Sequence, residues 1–458
     1  MTQNLFDEFD EVSSKAWKQK IQYELKGADY NETLVWESLE GIKIKPFYHN
    51  DDLDNVALPK KVVSKVWKIG HEIFVGNPEK ANQKALDVLQ RGAESLIFNI
   101  PSENINIENL LFGIDLASVP LHFNLQFLSE EFAKQLLELT KISKTEIHLH
   151  MDIIGNLART GNWFFDLKKD HTISEAIVSQ FEPSKATTVL SIDVALYQNA
   201  GANIVQQLAY AMAHANEYLN HGLFEKLQSP VFKVSIGPNY FFEIAKLRAL
   251  RILWRTLAGE YRISNDCHIL ATPSKRNKTL YDYNVNMLRT TSECMSAILG
   301  GADTINNLRY DAIYHKDNEF GERIARNQLL IMKNESYFDK VGNPADGAYY
   351  IETLTSQLAE KALDLFKSIE SGGGFLKQLK EHTIQKKIKE SAQKEQLLFD
   401  QKKEILVGTN AYQNADDGMK GATELYPFVK IDKRKTLIEP ILEKRLAEVL
   451  EQERLSDE

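Results

Sequence analysis

Cysteine is nearly absent: Cys267 and Cys294 are the only two in 458 residues. Two thiols in so long a chain make no disulfide framework, so both read as buried and reduced, as in a cytoplasmic protein. Long apolar runs are missing too. No stretch approaches the roughly eighteen apolar residues of a membrane span. The first residues, MTQNLFDEFDE, carry acid where a secretory leader carries base and then an apolar run, so no leader is expected. There is no basic excess. The 55 Lys and Arg face 64 Asp and Glu, a net charge of −9, which argues against a nucleic-acid surface. The glycine run Ser371–Gly374 has no GK[ST] after it and no strand before it. It reads as a helix stop, not a phosphate loop.

What remains is the composition of a globular protein, 43% hydrophobic and 26% charged. Its length suits two or three ordinary domains, or one barrel with additions. Residues 1–60 read as an extension. A helix capped by Ser13 or Ser14 ends near Gly27, and a hairpin turns at Glu40-Gly41. Trp17, Trp36 and Tyr48 are too large for so short a segment to bury. They are expected to lie on another surface, either the chain's own barrel or a partner.

From about Trp67 short strands alternate with helices. Strands are expected at 95–99, 119–125, 146–152, 187–195, 231–236, 267–271 and 304–308, with a last one near Val341 or Tyr349. Seven or eight βα units in succession predict a closed (β/α)8 barrel over residues 61–355. Outer helices and a charged helical tail, beginning near Asp432, complete residues 356–458. The helix that starts after Gly237-Pro238 has Asn239 as its expected cap. It carries Glu243, Lys246, Arg248 and Arg251, which read as a solvated, ion-paired face.

Several strands alternate polar with apolar residues, where buried parallel strands usually run apolar throughout. His122, Asn124 and Gln126 share one parity. So do His148, His150 and Asp152, and Thr187, Ser191 and Asp193. Ser235 lies between Val234 and Ile236. One parity must face the bore, which predicts a polar interior. His148 and His150 also resemble the HxH of metal-dependent barrel hydrolases, since two His at i and i+2 face one side and can share an ion. His268 and Asp193 are possible recruits. Lys233, at the start of its strand, is the lone mid-barrel lysine.

Several blocks in order carry a family resemblance. They are Gly237–Trp254 (GPNYFFEIAKLRALRILW), Asn286–Asp303 (NMLRTTSECMSAILGGAD), Arg323–Glu335 (RIARNQLLIMKNE), Asn343-Pro344 and Gly347–Leu354 (GAYYIETL). The chain thereby resembles the methylmalonyl-CoA mutase family of cobalamin-dependent acyl-CoA mutases. The resemblance implies a barrel that admits the pantetheine arm of a CoA thioester, and an N-terminal region that wraps a second subunit. It also marks what is missing. The family's cobalamin domain carries DxHxxG, which does not occur here. The carbonyl-binding His of active members falls at Leu196, just before Gln198-Asn199-Ala200-Gly201. Gln198 is the remaining candidate substrate contact. The Arg and Tyr of the active members' Arg-Gln-Tyr run become Gly70 and Glu72. Leucine can neither donate a hydrogen bond nor act as an acid.

These departures resemble the non-catalytic small subunit of a heterodimeric member. The implied role is to stabilise a large subunit that holds adenosylcobalamin and interconverts methylmalonyl-CoA and succinyl-CoA, with no cofactor on this chain. Trp17, Trp36 and Tyr48 are the expected interface. Two alternatives stay open: an active acyl-CoA mutase barrel served by a separate cobalamin-binding chain, and a metal-dependent barrel hydrolase. A retained CoA thioester and a homodimer of the isolated chain also stay open.

Overall fold

Eight parallel strands follow one another around a closed barrel, each hydrogen-bonded to the next in chain order. They are β1 Lys68–Phe74, β2 Ser95–Ile100, β3 Leu121–Leu125, β4 Ile147–Met151, β5 Thr187–Asp193, β6 Val231–Ile236, β7 His268–Pro273 and β8 Thr304–Asn306. The ring closes where Thr304 pairs with Lys68 and Ile305 with Ile69. The computed structural model describes residues 11–53, 66–140, 146–181, 187–222, 229–431 and 433–458. The first ten residues, the boundary expected at residue 60 and Asp432 lie outside them.

One strand is not where the sequence suggests. Nothing pairs near Val341, and Tyr349 begins a helix, Tyr349–Ser371. The missing strand is β1, at the other end of the barrel. Its KIGHEIF holds few apolar residues. Ile69 and Ile73 pack outward into the core while Gly70 and Glu72 face the bore. Tyr350, Ile351 and Leu354 fit a strand as readily as a helix, and only their continuation to Leu358 distinguishes the two.

The helix after β6 spans Tyr240–Glu260 and packs against the helices Ile204–Asn220, Val285–Leu299 and Tyr349–Ser371. Asn239 makes no side-chain cap bond there. The expected solvated charges are buried. Glu243, Lys246 and Arg248 are all at most 5% exposed. Arg248 bonds Asn343, Asp346 and Glu352, and Arg251 bonds Asp303 and the carbonyl of Gly301. Solvated and buried faces have the same three- and four-residue spacing, so only the partners reveal which one forms.

Of the tail, Glu448–Asp457 is helical. Before it, residues 433–447 run as an irregular strap, because Pro440 can neither donate in a helix nor leave its predecessor helical. Backbone amides of Leu437, Ile441, Lys444 and Leu446 bond the carbonyls of Gly161, Ala158, Asn199 and Arg276. The strap thus ties down the loops beyond β4, β5 and β7. Both cysteines are buried. No helix among the described residues is long and apolar enough to cross a membrane.

Candidate functional site

Successive side chains on a strand point to opposite faces, so alternate residues of all eight strands meet in the bore. At its C-terminal end lies a cavity of about 820 Å³. Barrel enzymes carry their chemistry at this end.

The floor of the cavity is a chain of hydrogen-bonded side chains. Asn306 on β8 donates to Glu72 Oε2 on β1 at 2.8 Å. Asn99 on β2 donates to the other oxygen of Glu72. Asn124 on β3 donates to Asn99 Oδ1 at 2.8 Å. Lys233 on β6 then reaches across the bore, donating to Asn124 Oδ1 at 3.4 Å and to Asp193 Oδ2 on β5 at 3.5 Å. Arg159, from the helix after β4, holds Asp193 Oδ2 at 2.8 Å and Glu443 of the strap at 2.8 Å. Burial by itself would raise the Asp193 carboxyl, but Lys233 and Arg159 outweigh it and hold it well below the usual carboxylate range. Asp193 is therefore held ionised, while its other oxygen, Oδ1, is buried without a hydrogen-bond partner.

Below it lie the imidazoles of His122, His148 and His268, with His150 one layer higher and lining the cavity. His122 stacks on His148 with ring centroids 4.3 Å apart, and His148 lies 4.2 Å from His268. His122 Nδ1 and His150 Nε2 are 3.0 Å apart. Burial, aided by the neighbouring positive charges, drives His122 and His150 well below their ordinary value and takes His268 to about 3. The geometry does not favour the alternative in which His148 and His150 share one ion. His148 keeps company with His122 and His268, while His150 bonds His122 from the side. Asp193 is engaged above with Lys233 and Arg159.

The inward parity of His122, Asn124, His148 and His150 was readable from strand alternation. Asn99 and Asn306 sit on the same parity of their strands and the same signal points to them. Arg159 and Glu443 carry no local signal, because the fold joins them from distant segments.

The family model for methylmalonyl-CoA mutase matches residues 103–452. The chain is 35% identical over 451 residues to the methylmalonyl-CoA mutase small subunit of Porphyromonas gingivalis, covering 90% of this chain and 71% of that protein. It is 28% identical over 413 residues to the small subunit from Streptomyces virginiae, covering 81% of this chain and 65% of the other. With the methylmalonyl-CoA mutase of Cereibacter sphaeroides it shares 28% identity over 469 residues, covering 88% of this chain and 64% of that protein. The chain belongs to the methylmalonyl-CoA mutase family.

Within this mutase barrel, the positions singled out from sequence separate. Leu196 lies on the short helix Ala195–Asn199 after β5 and is fully buried in the apolar core. Gln198 is 7% exposed, and its Oε1 accepts from Lys246 Nζ at 3.2 Å. That turn instead presents Ala195 and Asn199 to the cavity. Glu72 does face the cavity, as the acceptor of the floor. At Gly70 a Cβ would meet Thr304 Cγ2 at 2.9 Å and Ile97 Cδ1 at 3.1 Å, so no larger side chain fits without movement.

The N-terminal arm of the mutase chain lies on its own barrel, and its aromatic rings are only partly covered. Tyr48 packs against Tyr350 at 5.0 Å. Trp36 meets the edge of Phe242 at 5.9 Å and stays 53% exposed. Trp17 stacks on Phe47 within the arm and stays 46% exposed.

The Asp193 carboxylate makes an acid-stability prediction. A carboxyl held below its unfolded value contributes stability that is complete above about pH 4 and is lost as pH falls through the folded value. Asp193→Asn is therefore expected to lower the urea midpoint at neutral pH and to flatten its decline between about pH 4 and pH 2. An unchanged acid limb would contradict the assignment of that stability to Asp193.

Proposed function

We propose that this chain is the non-catalytic small subunit of a heterodimeric, adenosylcobalamin-dependent methylmalonyl-CoA mutase in the cytoplasm. Its role is to stabilise a large subunit that binds the cofactor and performs the interconversion of methylmalonyl-CoA and succinyl-CoA. The observation that carries this reading is the floor across the bore. Lys233 and Asn124 bridge the axis along which a pantetheine arm would pass.

The residues at the mouth do not fit the reacting acyl group or the cofactor. Glu72, Asn99, Asn124 and Lys233 hydrogen-bond within the floor, and Asp193 is held there by Lys233 and Arg159 through one of its two oxygens. Leu196 offers no donor, and Gly70 is walled in by Thr304 and Ile97. Neither group therefore reacts on this chain. When bound by the partner, the cofactor supplies radical chemistry that must be shielded from water.

The test is co-expression with a large subunit, size-exclusion chromatography and a mutase assay on the peak. A one-to-one complex is expected, with kcat/KM unchanged by Glu72→Gln or Lys233→Met here. A large subunit equally stable and active without this chain would overturn the reading.

The cavity itself favours a second reading, an acyl-CoA mutase barrel served by a separate cobalamin chain. About 820 Å³ is room for part of a thioester. Turnover by this chain with an added cobalamin-binding protein, abolished by Lys233→Met, would establish it instead.

A further inference from the structure

Three buried polar atoms on one wall of the cavity make no hydrogen bond among the described residues. They are His150 Nδ1 on β4, and Ser191 Oγ and Asp193 Oδ1 on the adjoining β5. All three side chains line the cavity, and His150 and Ser191 are 4% and 1% exposed. Buried polar groups are nearly always hydrogen-bonded, and leaving one unpaired is costly. Three that gather from neighbouring strands on one space outline a polar ligand.

Each atom restricts that ligand. Asp193 Oδ1 belongs to an ionised carboxylate and only accepts, whereas Ser191 Oγ can donate and accept. His150 and His122 are neutral, because burial and neighbouring positive charge oppose protonation. One of them donates across the 3.0 Å contact between His122 Nδ1 and His150 Nε2. If His150 donates, the proton of His122 sits on Nε2, stranded in the bore without an acceptor. If His122 donates, His150 carries its proton on Nδ1, a donor on the cavity wall. A stranded N–H is rarer than a bare lone pair, which selects the second arrangement. Charge excludes ions. Lys233 and Arg159 already flank Asp193, so an added cation meets two positive groups, and an anion meets the carboxylates of Asp193 and Glu72. A neutral hydroxyl can donate to Asp193 and accept from His150 at once. Phe74, next after Glu72 on the bore face of β1, is 55% exposed at the rim and offers a ring to the C–H face of such a molecule. About 820 Å³ is ample for a monosaccharide.

We propose that His150, Ser191 and Asp193 bind a neutral polyhydroxyl ligand, a polyol or monosaccharide, at the inner end of the cavity. Neighbouring hydroxyls bridge Asp193 Oδ1 and His150 Nδ1, and Ser191 completes the set. The site is built from this chain alone, so it does not rest on pairing with a large subunit. His122 is a positioning residue that fixes which nitrogen of His150 carries the proton.

The test is saturation-transfer NMR on the full chain with glycerol, ribose and glucose, beside acetate and methylammonium. Saturable binding of at least one of the three polyols is expected, and of neither ion. Ser191→Ala should weaken it about 2–10-fold through one lost hydrogen bond, and Asp193→Ala about 10–100-fold through the loss of a charged acceptor. The Ser191 hydroxyl has no partner in the free chain, so Ser191→Ala should leave the urea midpoint undiminished, where loss of a structural serine would lower it. The proposal is overturned if no polyol saturates, if either ion binds as tightly as the polyols, or if both variants bind polyol like wild type. Should the variants fail to fold, the wild-type panel decides alone.

Discussion

Lys246→Met should unfold the chain at a far lower urea concentration than wild type, a loss of about 3–5 kcal/mol. The lysine is 1% exposed, in a pocket built for its charge. Its ammonium donates to Ser235 O at 2.7 Å, Gln207 Oε1 at 3.1 Å and Gln198 Oε1 at 3.2 Å, and it meets Glu243 Oε2 at 2.5 Å. Burial pulls its pKa down, and Glu243 opposes that pull. Methionine fills the volume but leaves the Glu243 charge without its counterion and three acceptors without a donor. Such a loss is a large share of the roughly 5–15 kcal/mol that holds a typical domain together. Adding Glu243→Leu should recover part of it, because removing both charges costs less than removing one. A single variant within about 1 kcal/mol of wild type would show the pair to be solvated after all.

The second large effect concerns association. Trp17→Ser and Trp36→Ser, made together, should weaken the complex with a large subunit by at least roughly thirtyfold per residue, about 2 kcal/mol each. Both rings are near half exposed, and both lie on the arm. Tyr23 on the same arm is 81% exposed, and Phe241, which packs on Tyr350, is 49% exposed, so the apolar surface is broader than the two indoles. The isolated variant should keep nearly its full urea stability, since neither ring lies in the core. Unchanged affinity in sedimentation or calorimetry would move the interface elsewhere and leave the arm as a brace for its own barrel.

The strand alternation made much of this molecule legible. It placed His122, Asn124, His148 and His150 inside, and the succession of strand and helix patterns gave seven of the eight strands in order. β1 escaped because a strand whose inward residues are Gly70 and Glu72 lacks the apolar run that marks a buried strand. The charges on the helix Tyr240–Glu260 misled for a different reason. Periodicity reports which residues share a face, and it is silent on what that face meets. Gln198 is the instructive residue. In sequence it stands in a substrate-binding block, yet in the fold its amide holds Lys246. The links from Arg159 to Asp193 and Glu443 could not be read at all, for they exist only once segments 284 residues apart have met.

That last distance has a consequence for modularity. The mouth draws side chains from Glu72 through to Glu443, and the strap stitches the loops of β4, β5 and β7 together. No half-barrel contains it. A fragment that ends after β8 keeps all eight strands, yet its Arg159 has lost one of its two carboxylates and its loops are untied. The wall of this barrel is built from neighbouring repeats, whereas its mouth is an assembly of the entire chain.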